Sequence, residues 1–286
     1  MSERLYLRLQ DDPPCAPGTT VPASTLRAFA VPAPLRPAVA HVTAYDERFG
    51  PGVEVVERVL PDGASRLLVV LQRGEATIQV AGASASPVVL AMRGHVQGVS
   101  ITLHPGATLA LFGMPAGELA GRTVPWEDLV APAHRDVPER LAAAAGDAGR
   151  VGLVLQALQA LHRPPDAGSL RLVEHAQGRL RAHAGGISVR ALAAAMHLSE
   201  RRLQQVFAAQ VGLAPSVWRR LQRLHATLRL LRTAAEPQWA QIAHCAGYYD
   251  QSHLINEFRA LCGLTPLQFL GRTVSDSSKT TLGPGG

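Results

Sequence analysis

Two stretches of this chain are copies of one pattern. Leu203-Gln-Gln-Val-Phe-Ala-Ala-Gln-Val-Gly-Leu-Ala-Pro215 and Leu254-Ile-Asn-Glu-Phe-Arg-Ala-Leu-Cys-Gly-Leu-Thr-Pro266 align at an offset of 51 residues. Leu203/Leu254, Phe207/Phe258, Ala209/Ala260, Gly212/Gly263, Leu213/Leu264 and Pro215/Pro266 are identical. Each copy carries the same local instructions. Ser199 or Asp250 can cap a helix by accepting a backbone N–H, and Leu and Phe four positions apart make one buried stripe. Gly then suits a left-handed C-terminal residue, and Pro can open the next helix at its first position. A short run rich in small residues, 189–196 before the first copy and 239–245 before the second, completes each unit. Short helix, tight turn, capped polar-faced helix reads as helix-turn-helix, here twice in tandem, and such a pair implies contact with duplex DNA.

Charge is distributed accordingly. Residues 1–164 hold 14 Arg against 15 acidic residues, net −1, whereas residues 165–273 hold 13 Arg against 6, net +7. Positive charge is thus confined to the half with the repeats, as expected if that half alone meets phosphates. With 47% hydrophobic and 17% charged residues in 286, the chain is long and apolar enough for two globular domains. No apolar run is long enough to cross a bilayer and Met-Ser-Glu-Arg lacks an apolar signal core, so a cytoplasmic location without membrane contact is expected.

Catalytic chemistry finds little footing. Cys15, Cys245 and Cys262 show no paired spacing, and the last two fall on apolar helical positions that suit small buried thiols. His41, His95, His104 and His134 show neither H-x-H nor H-E-x-x-H spacing, so no catalytic residue, metal site or cofactor is read from the sequence.

Pattern along the chain gives an α+β expectation. Residues 1–24 are rich in turn formers and are expected to be a loose N-terminal segment. From Gly52 to His104, short β-branched runs at 53–59, 66–72, 76–80, 88–90 and 99–103 alternate with turns. They predict an antiparallel β sandwich or barrel-like domain over 25–163, with helices after Pro105-Gly106 at 107–112, 115–119, 137–145 and 150–161. Such a container holds a small ligand or only its own side chains. Arg163-Pro-Pro-Asp-Ala-Gly-Ser169 is the best linker, and 164–169 is taken as the boundary. An all-α domain follows over 170–273, with a helix from about Leu170 to His183. Its long helix, 215–231, joins the two units as a rigid spacer with Val217, Trp218, Leu221, Leu224, Leu228 and Leu231 on the apolar face. Arg219, Arg220 and Arg223 lie opposite. The polar tail, 274–286, is expected to be disordered.

These residues resemble the AraC/XylS family of bacterial transcription regulators. The run 242–266 is similar to that family's second helix-turn-helix over its whole length, and 192–215 is similar to the first. The front half is similar to a poorly characterised N-terminal domain found with some of these regulators. Its marks are Pro34-Leu-Arg-Pro37, Val59-Leu-Pro-Asp-Gly63, Leu103-His-Pro-Gly106 and the stretch 119–129 with Gly121-Arg-Thr-Val-Pro125. That resemblance implies a sensor-like fold without naming a ligand.

The family resemblance implies that each recognition helix enters one of two successive major grooves, about 34 Å apart. Aligned onto this chain, the base-reading positions are Arg201, Gln204 and Gln205 in the first unit and Gln251, Ser252, His253 and Asn256 in the second. Arg can grip guanine, and Gln or Asn can grip adenine, each with two hydrogen bonds. His253 could equally pack against its own helix. Arg202, Arg219, Arg220, Arg223 and Arg259 are assigned to phosphates, which hold register without reading sequence. Asn256 stands where a basic residue is often found, and Glu257 follows it, so the second unit is short of cations. Double-stranded DNA is the expected partner; a small-molecule effector in the N-terminal domain, RNA polymerase and a homodimer are further candidates. The competing reading is a DNA-binding protein whose N-terminal half is a ligand-free dimerisation or polymerase-contact scaffold.

Overall fold

The structure, a computed structural model, describes residues 2–9, 12, 19–164, 166–234 and 236–277, with 2 and 273–277 as backbone alone. Period-two alternation builds its front half from β1 (Ser2–Tyr6), β2 (Leu26–Phe29), β3 (Val39–Arg48), β4 (Glu54–Val59), β5 (Arg66–Gln72), β6 (Glu75–Ala81), β7 (Val88–Arg93), β8 (His95–Leu103) and β9 (Thr123–Pro125). Six of these pair antiparallel in the order β2-β3-β8-β5-β6-β9, and β1-β4-β7 form a smaller sheet. The tightest connection is the two-residue turn from β5 to β6. There Arg73 and Gly74 take φ of 53° and 85°, the primed geometry whose twist matches the strands it joins. The smaller sheet departs from expectation because β1 runs parallel to β4.

One face of the six-stranded sheet is dry. Val42 and Ala44 of β3, Leu67 and Val69 of β5, Ile78 and Val80 of β6, and Val99 and Ile101 of β8 are buried there. They pack with α1 (Ala107–Phe112), α3 (Val137–Ala143) and α4 (Gly146–Leu161), while α2 (Ala116–Leu119) lies at the sheet's end. On the opposite face of β3, Glu47 pairs with Arg4 of β1 at 2.7 Å, which ties the small sheet across. Tyr45 and Glu57 share this layer. Burial pushes the Tyr45 hydroxyl up to about 12 and the Glu57 carboxyl up to about 7; nearby Arg4 opposes the latter shift and Glu47 adds to it.

The helical half comprises α5 (Ala167–Ala182), α6 (Val189–Ala195), α7 (Glu200–Gln210), α8 (Pro215–Thr233), α9 (Trp239–Cys245), α10 (Gln251–Cys262) and α11 (Pro266–Ser277). Leu203 and Phe207 of α7, Leu221, Leu224 and Leu228 of α8, and Leu254 and Phe258 of α10 converge in one core. Each such side chain contributes about 1.5–3 kcal/mol by leaving water. Helix α5 starts at Ala167 because the Asp166 carboxylate accepts the N–H groups of Gly168 and Ser169 at 3.1 and 3.2 Å. The connection expected over 164–169 is therefore shorter than the Pro and Gly residues suggest. Of the expected tail, 274–277 continue α11, and 278–286 lie outside the described residues, as does Cys15.

The loose segment expected over 1–24 is corrected in its first residues. β1 pairs with β4, and Leu5, Leu7 and Leu9 are at most 2% exposed within the same core as the C-terminal helices. The cause is alternation in Leu5-Tyr-Leu-Arg-Leu9, which turns three leucines to one side of the segment that ends β1 and runs on from it. Other ties cross the same seam. Asp12 accepts two hydrogen bonds from Arg232 at 2.9 and 2.8 Å, His225 Nε2 meets the Pro61 carbonyl at 3.2 Å, and the Gly106 N–H donates to the Gln210 carbonyl at 2.7 Å.

Candidate nucleic-acid interface

Local chemistry sets each helix-turn-helix unit. In the first, Ser188 accepts the Ala191 N–H at 3.0 Å to start α6, and Ser199 accepts the Arg202 N–H at 3.2 Å to start α7. In the second, Asp250 accepts the His253 N–H at 2.7 Å to start α10. His197 makes the first turn at φ 54°, whereas Gly247 makes the second at φ 76°. The tandem pattern extends to the exits. Gly212 and Gly263 take φ of 83° and 69°, and Pro215 and Pro266 begin α8 and α11.

The capped helices bury Leu203, Val206 and Phe207 or Leu254 and Phe258, which forces the alternate positions outward. Arg201, Gln204 and Gln205 are accordingly exposed on α7, and Gln251, Ser252 and Asn256 are exposed on α10. His253 is only half-buried in the open. Its Nδ1 accepts the Tyr249 N–H at 3.3 Å and its ring meets Tyr248 edge-on at 5.4 Å, so one side of the imidazole is committed to its own unit. Tyr249 is a residue the sequence reading missed. It is 92% exposed immediately before α10, where a large aromatic ring has no folding role. Its only sequence signal is an aromatic doublet in a turn.

The arginines assigned to phosphates divide. Arg202 and Arg259 are exposed on α7 and α10. Arg219 is half-buried on α8, where burial and the charge of Arg223 lower its pKa while Glu257 opposes them. Arg220 and Arg223 are turned to another task. The Glu257 carboxylate accepts Arg220 Nε at 2.7 Å and an Arg223 guanidinium N–H at 2.6 Å, and the Arg223 guanidinium lies 5.2 Å over the Tyr248 ring. Arg223 is 6% exposed, which corrects its assignment: a side chain this buried cannot reach a phosphate. Burial pushes the Glu257 carboxyl up, but its hydrogen bonds and ion pairs with Arg223 and Arg220 outweigh that and hold it below the usual range. Glu257 therefore does not weaken the second unit's charge so much as clamp α10 onto α8. The face of α8 assigned to phosphates is largely an internal joint.

The far end of α7 abuts the front half. A Cβ on Gly117 of α2 would stand 2.9 Å from the Ala208 carbonyl, and one on Gly212 would stand 2.8 Å from the Ala116 carbonyl. Both glycines are required by that close approach, since neither backbone can yield cheaply.

A helix-turn-helix domain family matches residues 192–272, and a domain of unknown function (DUF6597) matches residues 27–125. Among solved structures, ToxT from Vibrio cholerae at 1.65 Å aligns at 10% identity and a TM-score of 0.42, covering 81% of this chain and 98% of that one. ToxT from Vibrio cholerae O395 bound to (E)-4-(8-methylnaphthalen-1-yl)but-3-enoic acid aligns at 9% identity and TM-score 0.42, covering 81% and 99%. Unsaturated fatty acid bound ToxT of strain SCE256 aligns at 10% identity and TM-score 0.38, covering 80% and 94%. No curated protein matches. No helix among the described residues is long and apolar enough to cross a membrane. The chain carries a helix-turn-helix domain over 192–272, the DNA-binding element of a transcription regulator, behind a domain of unknown function over 27–125.

Proposed function

We propose that the chain reads two successive major grooves of duplex DNA from the cytoplasm, α7 in one and α10 in the next, and that its front half modulates this reading. The observation that carries the proposal is the matched exposure of Arg201, Gln204 and Gln205 on α7 and of Gln251, Ser252 and Asn256 on α10. Helix α8 joins them. Its 19 residues make a rod of about 28 Å, close to the length of one helical turn of DNA. The Glu257 clamp keeps the second unit from swivelling on that rod. Arg201 suits guanine, and the Gln and Asn residues suit adenine. His253 can offer the Nε2 N–H that its bond to Tyr249 leaves for an outward acceptor. Arg202 and Arg259 are the strongest candidates for phosphate contact, with Arg219 and Arg220 secondary.

Modulation is supported by the contact of α2 with the C-terminal end of α7, which couples residues 25–163 to the first reading helix of residues 170–273. One observation favours a scaffold role as well. Val88, Val89 and Leu90 are 50%, 51% and 43% exposed on β7, an edge of the small sheet, and could pair with a second copy.

Selection of bound duplexes from a random pool tests the two-groove reading. Two half-sites about 10–10.5 base pairs apart are expected. Recovery of a single half-site, or of half-sites at scattered spacings, overturns it.

A further inference from the structure

The turns of the two helix-turn-helix units differ in length by one residue. Helices α6 and α9 match at an offset of 50: Leu192/Ile242 and Ala193/Ala243 are buried, and His197 and Gly247 take the left-handed position. Leu198 and Tyr248 then donate their N–H groups to the carbonyls of Ala193 and Ala243 at 3.0 and 2.9 Å. Helices α7 and α10 match at an offset of 51, since their caps are Ser199 and Asp250. In the first unit Leu198 alone joins the left-handed residue to the cap. In the second, Tyr248 fills that place against the core, and Tyr249 is the residue added before the cap.

Its backbone is held while its ring stands in water. The Tyr249 N–H donates to Nδ1 of His253 at 3.3 Å. His253 is fixed in turn, edge-on to the buried Tyr248 ring at 5.4 Å and with its own N–H on the Asp250 carboxylate at 2.7 Å. The added residue is thus braced from both sides, and its 92% exposed side chain lies two positions before Gln251 at the N-terminal end of α10. In a helix-turn-helix this is the end of the second helix that meets base edges.

Chemistry narrows what the ring meets there. Residues 248–256 include Asp250 and no Lys or Arg, so this end of the unit has no permanent cation to draw it onto phosphate. An aromatic ring offers mainly apolar surface, and the apolar group that the major groove displays is the thymine 5-methyl. We propose that Tyr249 is a specificity-determining residue whose ring packs on the methyl of one thymine at the edge of the α10 half-site. The proposal rests on the two-groove reading and names a base that the second unit requires. Because the turn is braced beforehand, covering the ring costs little ordering of the backbone. Leu198, half-buried against the core, offers no counterpart, so the requirement falls in one half-site only.

The test uses the full chain and its selected duplex, with thymines replaced one at a time by deoxyuridine, which removes the methyl alone. In the half-site where Gln251→Ala relaxes base preference, one such replacement is expected to weaken wild-type binding about fourfold, the factor for one buried methyl. Tyr249→Ala should weaken the thymine duplex at least as much and bind thymine and uracil duplexes equally. It should leave the salt slope unchanged, because no phosphate contact is lost. Its urea unfolding should match the wild type, as expected for a side chain this exposed. Tyr249→Phe should retain the thymine preference. The proposal is overturned if that half-site holds no thymine whose replacement costs wild-type affinity, or if the penalty survives in Tyr249→Ala. It is equally overturned if Tyr249→Phe loses the preference as alanine does, which would place the hydroxyl, not the ring, in contact. A chain that selects two half-sites but shows no methyl dependence loses only this contact; one that selects no duplex loses the two-groove reading and this contact with it.

Discussion

Replacing Glu257 by alanine leaves the Arg223 guanidinium buried without its carboxylate. The side chains are 7% and 13% exposed and 2.6 Å apart, so the pair falls in the class where removal of one member costs about 3–5 kcal/mol. Arg220 adds little to this, since its 36% exposure places it near surface pairs worth about 0.5 kcal/mol. The Tyr248 ring lies under Arg223 before and after the change, so its cation–π contact cancels in the difference. A loss of about 3–5 kcal/mol is expected, measured by urea unfolding of the full chain. Arg223→Met alone should cost a similar amount, whereas Arg223→Met with Glu257→Ala should cost less than the sum of the two single changes. A coupling below about 0.5 kcal/mol in that cycle would refute the clamp. The same cycle separates structure from DNA contact. If Arg220 belongs to the joint, Arg220→Ala leaves the salt dependence of duplex binding nearly unchanged, contrary to its expected role on phosphate.

Arg201→Ala should lose about 1–3 kcal/mol of discrimination at one base position, whereas Arg202→Ala should weaken all duplexes alike and reduce the salt slope by about one; fluorescence anisotropy across salt concentrations distinguishes them. Glu57 gives a pH signature. Its folded pKa, raised to about 7 from 4.5, means that its contribution is fully present below pH 4.5 and is lost as pH rises to 7. Glu57→Gln should therefore gain on the wild type across that window by up to about 3 kcal/mol, and parallel stability curves from pH 5 to 8 would dismiss the effect. Leu7→Ala, at a side chain 1% exposed, should cost about 2–5 kcal/mol in urea unfolding; a cost near zero would return the first residues to the loose segment expected from their composition.

The amino-acid sequence by itself determined both helix-turn-helix units. Caps at Ser199 and Asp250, stripes through Leu203/Phe207 and Leu254/Phe258, and exits at Gly212 and Gly263 are interactions between residues at most a few positions apart, and local spacing displays them. The same locality makes the outward positions of α7 and α10 legible, because whatever the stripe buries leaves the rest exposed. β5 and α1 were read to their bounds for similar reasons. Tertiary structure alone decided what the polar residues do. Glu257 meets an arginine 34 positions away, His225 meets a carbonyl 164 positions away, and residues as distant in sequence as Arg8 and Arg229 line one cavity. A charge on a helix looks the same in sequence whether it faces phosphate, water or a buried counter-charge. Only the approach of distant backbone fixes its surroundings, and that approach is set by the summed burial of apolar faces, to which no single spacing testifies.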